Sequence, residues 1–232
     1  MTEVAIVGLL VVHNLVTNLW LSDRWYVPVN VATAVVLVLM AGPGGLGLSV
    51  GWVPGVVGLA FGLVVVAVVA SLAVLPSTRP LLADQRMVGV DARGTACRAL
   101  VRIPLGTVLL EEVAFRGVLP VVLSPLAAVV LFGLWHIVPT WRTLDVNRVA
   151  GSGRARAAAV SGAVVVTAAV GLVLWRLRVA TGSLLAPALV HIAANSAATV
   201  AAYGVLRSAA AHVAAADLLP DEAAQQAEEE PA

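Results

Sequence analysis

Hydrophobic residues run along this chain in long blocks, broken by clusters of arginine, proline and glycine rather than by a regular helical or strand alternation. A segment of about 20 apolar residues is what a helix needs to cross a bilayer. The blocks predict seven spans, at about 4–21, 27–42, 52–76, 104–122, 125–140, 158–176 and 183–205. The fold class that follows is all-α, a polytopic transmembrane helix bundle. Residues 1–78 hold the first three spans and residues 79–207 the remaining four, followed by a tail over 208–232. The Ala-rich stretch 208–216 is too short for an eighth span, and Asp217 to Ala232 is acidic and rich in Ala, Gln and Glu, the composition of a disordered segment.

Composition strengthens this picture. The 232 residues are 60% hydrophobic and 12% charged, with a mean hydropathy of +0.98, against about 45–50% and about 25% in a soluble domain. The excess has to face lipid. The net charge of +1 says little, but all 14 basic residues are arginine. No basic block points to nucleic acid, and the Ala/Val/Arg-rich, lysine-free composition is that expected of a GC-rich bacterium. The single cysteine, Cys97, excludes an internal disulfide framework and a cysteine zinc cluster. The N-terminus has Glu3 in place of a basic region and no small-residue cleavage site, so it reads as a retained first span.

The arginines also orient the bundle. Seven spans put Arg24, Arg79, Arg86, Arg93, Arg98, Arg102, Arg142, Arg148, Arg154, Arg156 and Arg207 on one side and only Arg176 and Arg178 on the other. By the positive-inside rule the expectation is an external N-terminus and a cytoplasmic C-terminus. Two glycine patterns are structural on this reading. Gly42-Pro-Gly44-Gly45-Leu-Gly47 matches a dinucleotide-site pattern but joins two spans, without the strand and helix that such a site requires. Gly58 and Gly62 lie four apart within the third span, a spacing that lets helices pack closely.

Charge inside the membrane is where the chemistry lies. Glu111, Glu112 and Arg116 fall in the fourth span, at an insertion cost of at least about 2.5–3.5 kcal/mol each. A lone Glu/Arg pair could simply lock two helices together, but one arginine neutralises only one of two adjacent carboxylates well. Glu112 and Arg116, four apart, share a helix face and can pair. Glu111 is turned about 100° away toward a different neighbour. An unpaired carboxylate in a dry site is a candidate general base, with Glu112 its orienting partner. Two further spans carry Phe132 with His136, within Phe-Gly-Leu-Trp-His, and His191 with Asn195, each pair four apart on one face. Counting about 1.5 Å per residue, Glu111, His136 and Asn195 fall roughly 6–15 Å below the cytoplasmic surface and His191 about 21 Å, which allows them to meet.

Glu111-Glu112-x3-Arg116, Phe132-x3-His136 and His191-x3-Asn195, in this order, resemble the three motifs of the CPBP family of intramembrane proteases. That family includes the CAAX prenyl endopeptidases and bacteriocin-processing and immunity-associated (Abi-type) relatives. Phe115-Arg116-Gly117 and Thr181-Gly182-Ser183-Leu184 with Pro187 are also similar, and the likeness covers about residues 100–200, making 79–207 a catalytic core of CPBP type with its active site inside the bundle. The resemblance implies hydrolysis of a peptide bond, in a membrane-anchored or lipid-modified substrate, by a water that Glu111 and His136 activate. It implies His191 and Asn195 as donors to the developing oxyanion. Donors of this kind are worth about 2.7–4 kcal/mol each, and an Asn side chain can donate but cannot act as a base. Glu112, Arg116 and Phe132 then orient the site. No cofactor is expected. Zinc held by Glu111, His136 and His191 with one open position stays as an alternative, although no H-E-x-x-H is present.

Other residues receive plainer readings. His13 is a packing residue and His212 an exposed one; Ser161 and Ser183 lack the flanks of a serine-type intramembrane peptidase, and no Gly-x-Gly-Asp motif occurs. Two competing functions remain. A non-catalytic membrane protein of the same fold, with an immunity or scaffold role, would be expected to show a degraded motif position, and none is degraded. A small transporter would be expected to show an internal repeat, and none is found.

Overall fold

The computed structural model describes residues 1–148 and 151–216, with side chains described through residue 211. The expectations for His212 and for the acidic stretch 217–232 lie outside the described side chains and residues. Among the described residues every regular element is helical: α1 (Thr2–Leu19), α2 (Asp23–Ala41), α3 (Trp52–Val74), α4 (92–122), α5 (Pro125–Trp135), α6 (Ile137–Asn147), α7 (Gly153–Thr181) and α8 (Leu185–Ala216). Two short 3₁₀ turns, Arg79–Leu82 and Gln85–Met87, precede α4. Six helical segments are long and apolar enough to cross a membrane, with α5 and α6 together forming one of them. The chain is an all-α polytopic bundle.

Several boundaries differ from the sequence reading. The fifth span does not stop near 140 but continues as α6 to Asn147, so Arg142 lies on a helix and not in a loop. The sixth runs Gly153–Thr181, and the last continues past 205 to Ala216, taking in the Ala-rich stretch. Hydropathy misses these ends because helices go on beyond the hydrocarbon layer, where composition no longer has to be apolar.

α4 is the axis of the bundle. Asp91 caps its start, the side chain accepting from the Gly94 N–H at 2.7 Å. Residues Arg98–Val108 and Val113–Val118 are wound as π-helix around one α-helical turn, Leu109–Glu112. Pro104 sits in the first wide stretch, where the looser turn moves away the carbonyl that its ring would otherwise strike. Wide turns of this kind cluster at functional sites, and both flank the glutamates.

The neighbours of α4 pack by smallness. α3 is apolar all round, yet its buried residues are Gly58 and Gly62 while Leu63, Val64 and Val68 are exposed. A Cβ on Gly58 would stand 2.8 Å from the Ala186 carbonyl oxygen, and one on Gly62 3.2 Å from the Ala193 Cβ. The small faces therefore meet α8 and the branched faces point out to lipid, as the spacing predicts. α2 approaches α4 in the same way, with a Cβ on Gly106 meeting the Tyr26 ring at 2.9 Å.

Polar clasps fix the two ends. At one end Asp84 accepts from the Arg86 backbone and guanidinium and from Asn147 Nδ2 at 3.3 Å, while Asn147 Oδ1 accepts from the Gln85 N–H at 2.8 Å. Partial burial acts to raise the Asp84 carboxyl, but the hydrogen bonds and charge of Arg86 outweigh it and hold the group below its ordinary range. Asp23 pairs with Arg102 at this end, at 3.1 Å. At the other end Leu184 N–H donates to Gly47 O at 2.8 Å and Arg178 donates to Gly45 O. The loop 42–51, with its dinucleotide-like glycines, is thus a connector tied to the α7–α8 turn. Ser183 is fully buried there, donating to Ser49 O and accepting from Leu185 N–H, while Gly182 supplies the left-handed φ of +67° that ends α7.

Candidate active site

Glu111, Glu112 and Arg116 lie at the centre of the bundle, exposed by only 7%, 2% and 1%. The expected pair forms, with Arg116 NH1 3.3 Å from Glu112 Oε1. Arg116 also lies over the Phe132 ring, its guanidinium carbon 3.8 Å from the centroid, so the cation is compensated by a π face as well as a carboxylate. Both of its terminal nitrogens lack a hydrogen bond.

α8 brings His191 onto the two glutamates. Its Nδ1 is 2.8 Å from Glu112 Oε1 and its Nε2 is 3.7 Å from Glu111 Oε2. One imidazole thus bridges both carboxylates. An ionised carboxylate only accepts, so Nδ1 carries a proton toward Glu112. That leaves Glu112 Oε1 shared by the Arg116 cation, as an ion pair, and the His191 N–H, as a hydrogen bond. Glu111 Oε1 instead accepts a neutral donor, Trp135 Nε1, at 3.0 Å, and its Oε2 has no hydrogen-bond partner.

His136 stands at the break between α5 and α6, with φ −83° and ψ −1°. Its Nδ1 is 2.8 Å from Phe132 O. A carbonyl only accepts, so Nδ1 bears the proton and Nε2 of the neutral ring offers a lone pair. No contact links His136 directly to Glu111. The two histidines are joined through Phe132, whose ring lies 4.7 Å from that of His136 and 6.3 Å from that of His191, both edge-on. Gly171 makes room for this ring, since a Cβ there would meet Phe132 Cδ1 at 2.8 Å. Asn195 is half-buried one turn beyond His191, and its carboxamide has no hydrogen-bond partner among the described residues. Among the described residues no group of three or more His, Cys, Asp or Glu side chains has an arrangement that could hold a metal ion.

Two residues of the layer behind Glu111 escape the sequence reading. Trp135 is the first, the donor to Glu111. His13 is the second; it is not merely packed but 5% exposed, with Nε2 3.1 Å from Asn30 Oδ1 and Nδ1 3.0 Å from Thr33 Oγ1. The available signal was the set of polar residues within two apolar spans, His13 and Asn14 in one, Asn30 and Thr33 in the other, each in need of a partner in lipid.

The interior of this helical bundle thus holds paired glutamates, an arginine and the imidazole of His191 in mutual contact, with His136 beyond the Phe132 ring. Residues 94–197 are similar to the family model of the Rce1-like proteins, described as type II CAAX prenyl endopeptidase Rce1-like, a match that supports the resemblance to the CPBP/CAAX proteases over that segment. No curated protein and no solved structure matches the chain. The matched segment takes in all three motifs and excludes α1, α2 and α3.

Proposed function

We propose that this protein is an intramembrane endopeptidase that hydrolyses a peptide bond in a membrane-anchored or lipid-modified substrate. The observation that carries the reading is the unequal state of the two adjacent glutamates. Glu112 is engaged by Arg116 and His191 at 3.3 and 2.8 Å, whereas Glu111 is held on one oxygen by a neutral indole, and its other oxygen has no hydrogen-bond partner, with His191 Nε2 3.7 Å away. In this reaction Glu111 Oε2 takes a proton from water, helped by the Nε2 lone pair of His136, and the hydroxide adds to the substrate carbonyl. Asn195 donates to the resulting oxyanion. His191, one turn away on the same helix face, is the second donor in this reading. The tetrahedral intermediate collapses, the C–N bond breaks, and the amine leaves with the proton that Glu111 had taken. No metal takes part in these steps. An apolar cavity of about 280 Å³ between α1 and α5, walled in part by Val7, Leu10, Phe115 and Trp135, offers a membrane-borne substrate apolar surface against the indole that donates to Glu111.

The test is Glu111→Gln, which keeps shape and hydrogen bonding but removes the base. Turnover should be lost while the protein stays folded, and proteomics of membrane fractions should show one precursor accumulating beside the wild type. A proteome unchanged by Glu111→Gln would favour the non-catalytic alternative of an immunity or scaffold protein. The orientation proposed is N-terminus outside and C-terminus cytoplasmic, from the arginine distribution. The end clasps support the sidedness of the loops, since 75–91 meets the end of α6 and 42–51 meets the α7–α8 turn. Reporter fusions at residues 90 and 150 should both read as cytoplasmic, and an external signal from either would overturn it.

A further inference from the structure

Trp135 is the last residue of α5, just before the break at His136. In an unbroken helix its carbonyl would accept from residue 139, but that residue is Pro139, which has no N–H. Asn14 of α1 supplies the missing donor, with Nδ2 2.8 Å from Trp135 O. The next residue toward the N-terminus, His13, lies parallel to the indole, with centroids 6.1 Å apart and planes 12° apart. Phe115 closes the ring's environment edge-on at 5.3 Å. α1 therefore grips Trp135 by backbone and by ring, while the indole N–H points at Glu111 Oε1, 3.0 Å away.

The grip is itself anchored. Asn30 Nδ2 donates to Tyr26 O at 2.6 Å, which fixes the amide so that Oδ1 faces His13. Nε2 of His13 then carries the proton, and Nδ1 lies 3.0 Å from the Thr33 hydroxyl, which is also within 2.9 Å of Val29 O. Every polar atom of this imidazole is spoken for, a costly arrangement to build between two apolar spans unless its orientation matters. A fixed imidazole fixes the plane of the stacked indole, and with it the oxygen of Glu111 that is occupied and the one left free.

We propose that Trp135 is a positioning residue for Glu111, and that His13 and Asn14 hold it in place, so that α1 and α2 aim the base although they lie outside the matched segment. The inference rests on Glu111 being that base. A carboxylate free to rotate spends less of its time with a lone pair on the water, and misplacement of a reacting group lowers the chemical step far more than binding.

The experiment uses the full chain in nanodiscs and a quenched fluorescent farnesylated CAAX peptide as probe. It compares wild type, Glu111→Gln, Trp135→Phe, a Trp135 variant bearing the isosteric benzothienylalanine, and His13→Phe. Loss of the indole N–H should lower kcat about tenfold or more with KM held within about twofold, the signature of an interaction that acts on the chemical step. The isostere, which keeps ring and packing, should do this without a change in melting temperature, which separates positioning from a structural role and covers the case that Trp135→Phe folds poorly. His13→Phe keeps a stacking ring without its tethers and should show a smaller fall in kcat. If wild type and Glu111→Gln behave alike, the proteolytic reading falls and this inference with it. If they differ while the isostere matches wild type, the inference alone is wrong.

Discussion

Arginine meets a carboxylate both at the centre of this bundle and at its edge, and the two meetings have opposite consequences. Arg116 and Glu112 are 1% and 2% exposed, whereas the side chains of Arg86 and Asp84 at the end clasp are 54% and 24% exposed. The edge pair is shorter, at 2.5 Å against 3.3 Å. Distance therefore ranks them the wrong way round. What ranks them is the medium: water screens the edge pair and would solvate either partner alone, while a central charge without its partner has no solvent to turn to. Proximity of opposite charges shows that a contact exists, and burial decides what its loss costs.

The sharpest way to break this contrast is at the centre. Glu112→Gln and Arg116→Ala each strand a buried charge, so thermal unfolding in detergent should show a loss of about 3–5 kcal/mol, or a collapse in yield. Glu111→Gln should remain stable, because its strongest tie is to a neutral donor. A stable but inactive Glu112→Gln beside an active Glu111→Gln would show that the base is the other carboxylate.

A middle case replaces charge by shape. Gly58→Ala sets a Cβ against the Ala186 backbone, at 2.8 Å from its oxygen and 2.9 Å from its Cα. Neither atom can move without shifting α8, so overpacking should cost about 1–3 kcal/mol. Because α8 carries His191, activity should fall along with stability. An unchanged melting temperature would mean that the α3–α8 seam gives more easily than its geometry indicates.

The smallest effect belongs to the edge. The folded Asp84 carboxyl is held below its ordinary range by Arg86, so its contribution is fully present above the unfolded carboxylate range and is lost as pH falls through the folded value. Asp84→Asn should cost about 0–1 kcal/mol at neutral pH and lessen the decline in stability on acidification. A loss as large as that of Arg116→Ala would erase the distinction between edge and centre.

The sequence alone determined the class of this protein, because hydropathy, composition and the four-residue spacings of Glu112 with Arg116, Phe132 with His136 and His191 with Asn195 are local properties. Helix periodicity turns each such spacing into a shared face without reference to anything distant. The same holds for Gly58 and Gly62, whose smallness permits close packing whichever helix arrives. Partners separated by long stretches of chain were decided only by the tertiary structure. That His191 spans both glutamates, that His136 turns its Nδ1 to its own helix, and that α8 is the helix seated on the α3 glycines all depend on how rods are placed relative to one another. The π-helical winding of α4 was equally illegible, since it is set by what packs around the helix as much as by Pro104. His13 shows the physical reason most directly. In sequence it is one polar residue among valines, and its meaning comes from Asn30, Thr33 and Trp135, which only the folded bundle brings to it.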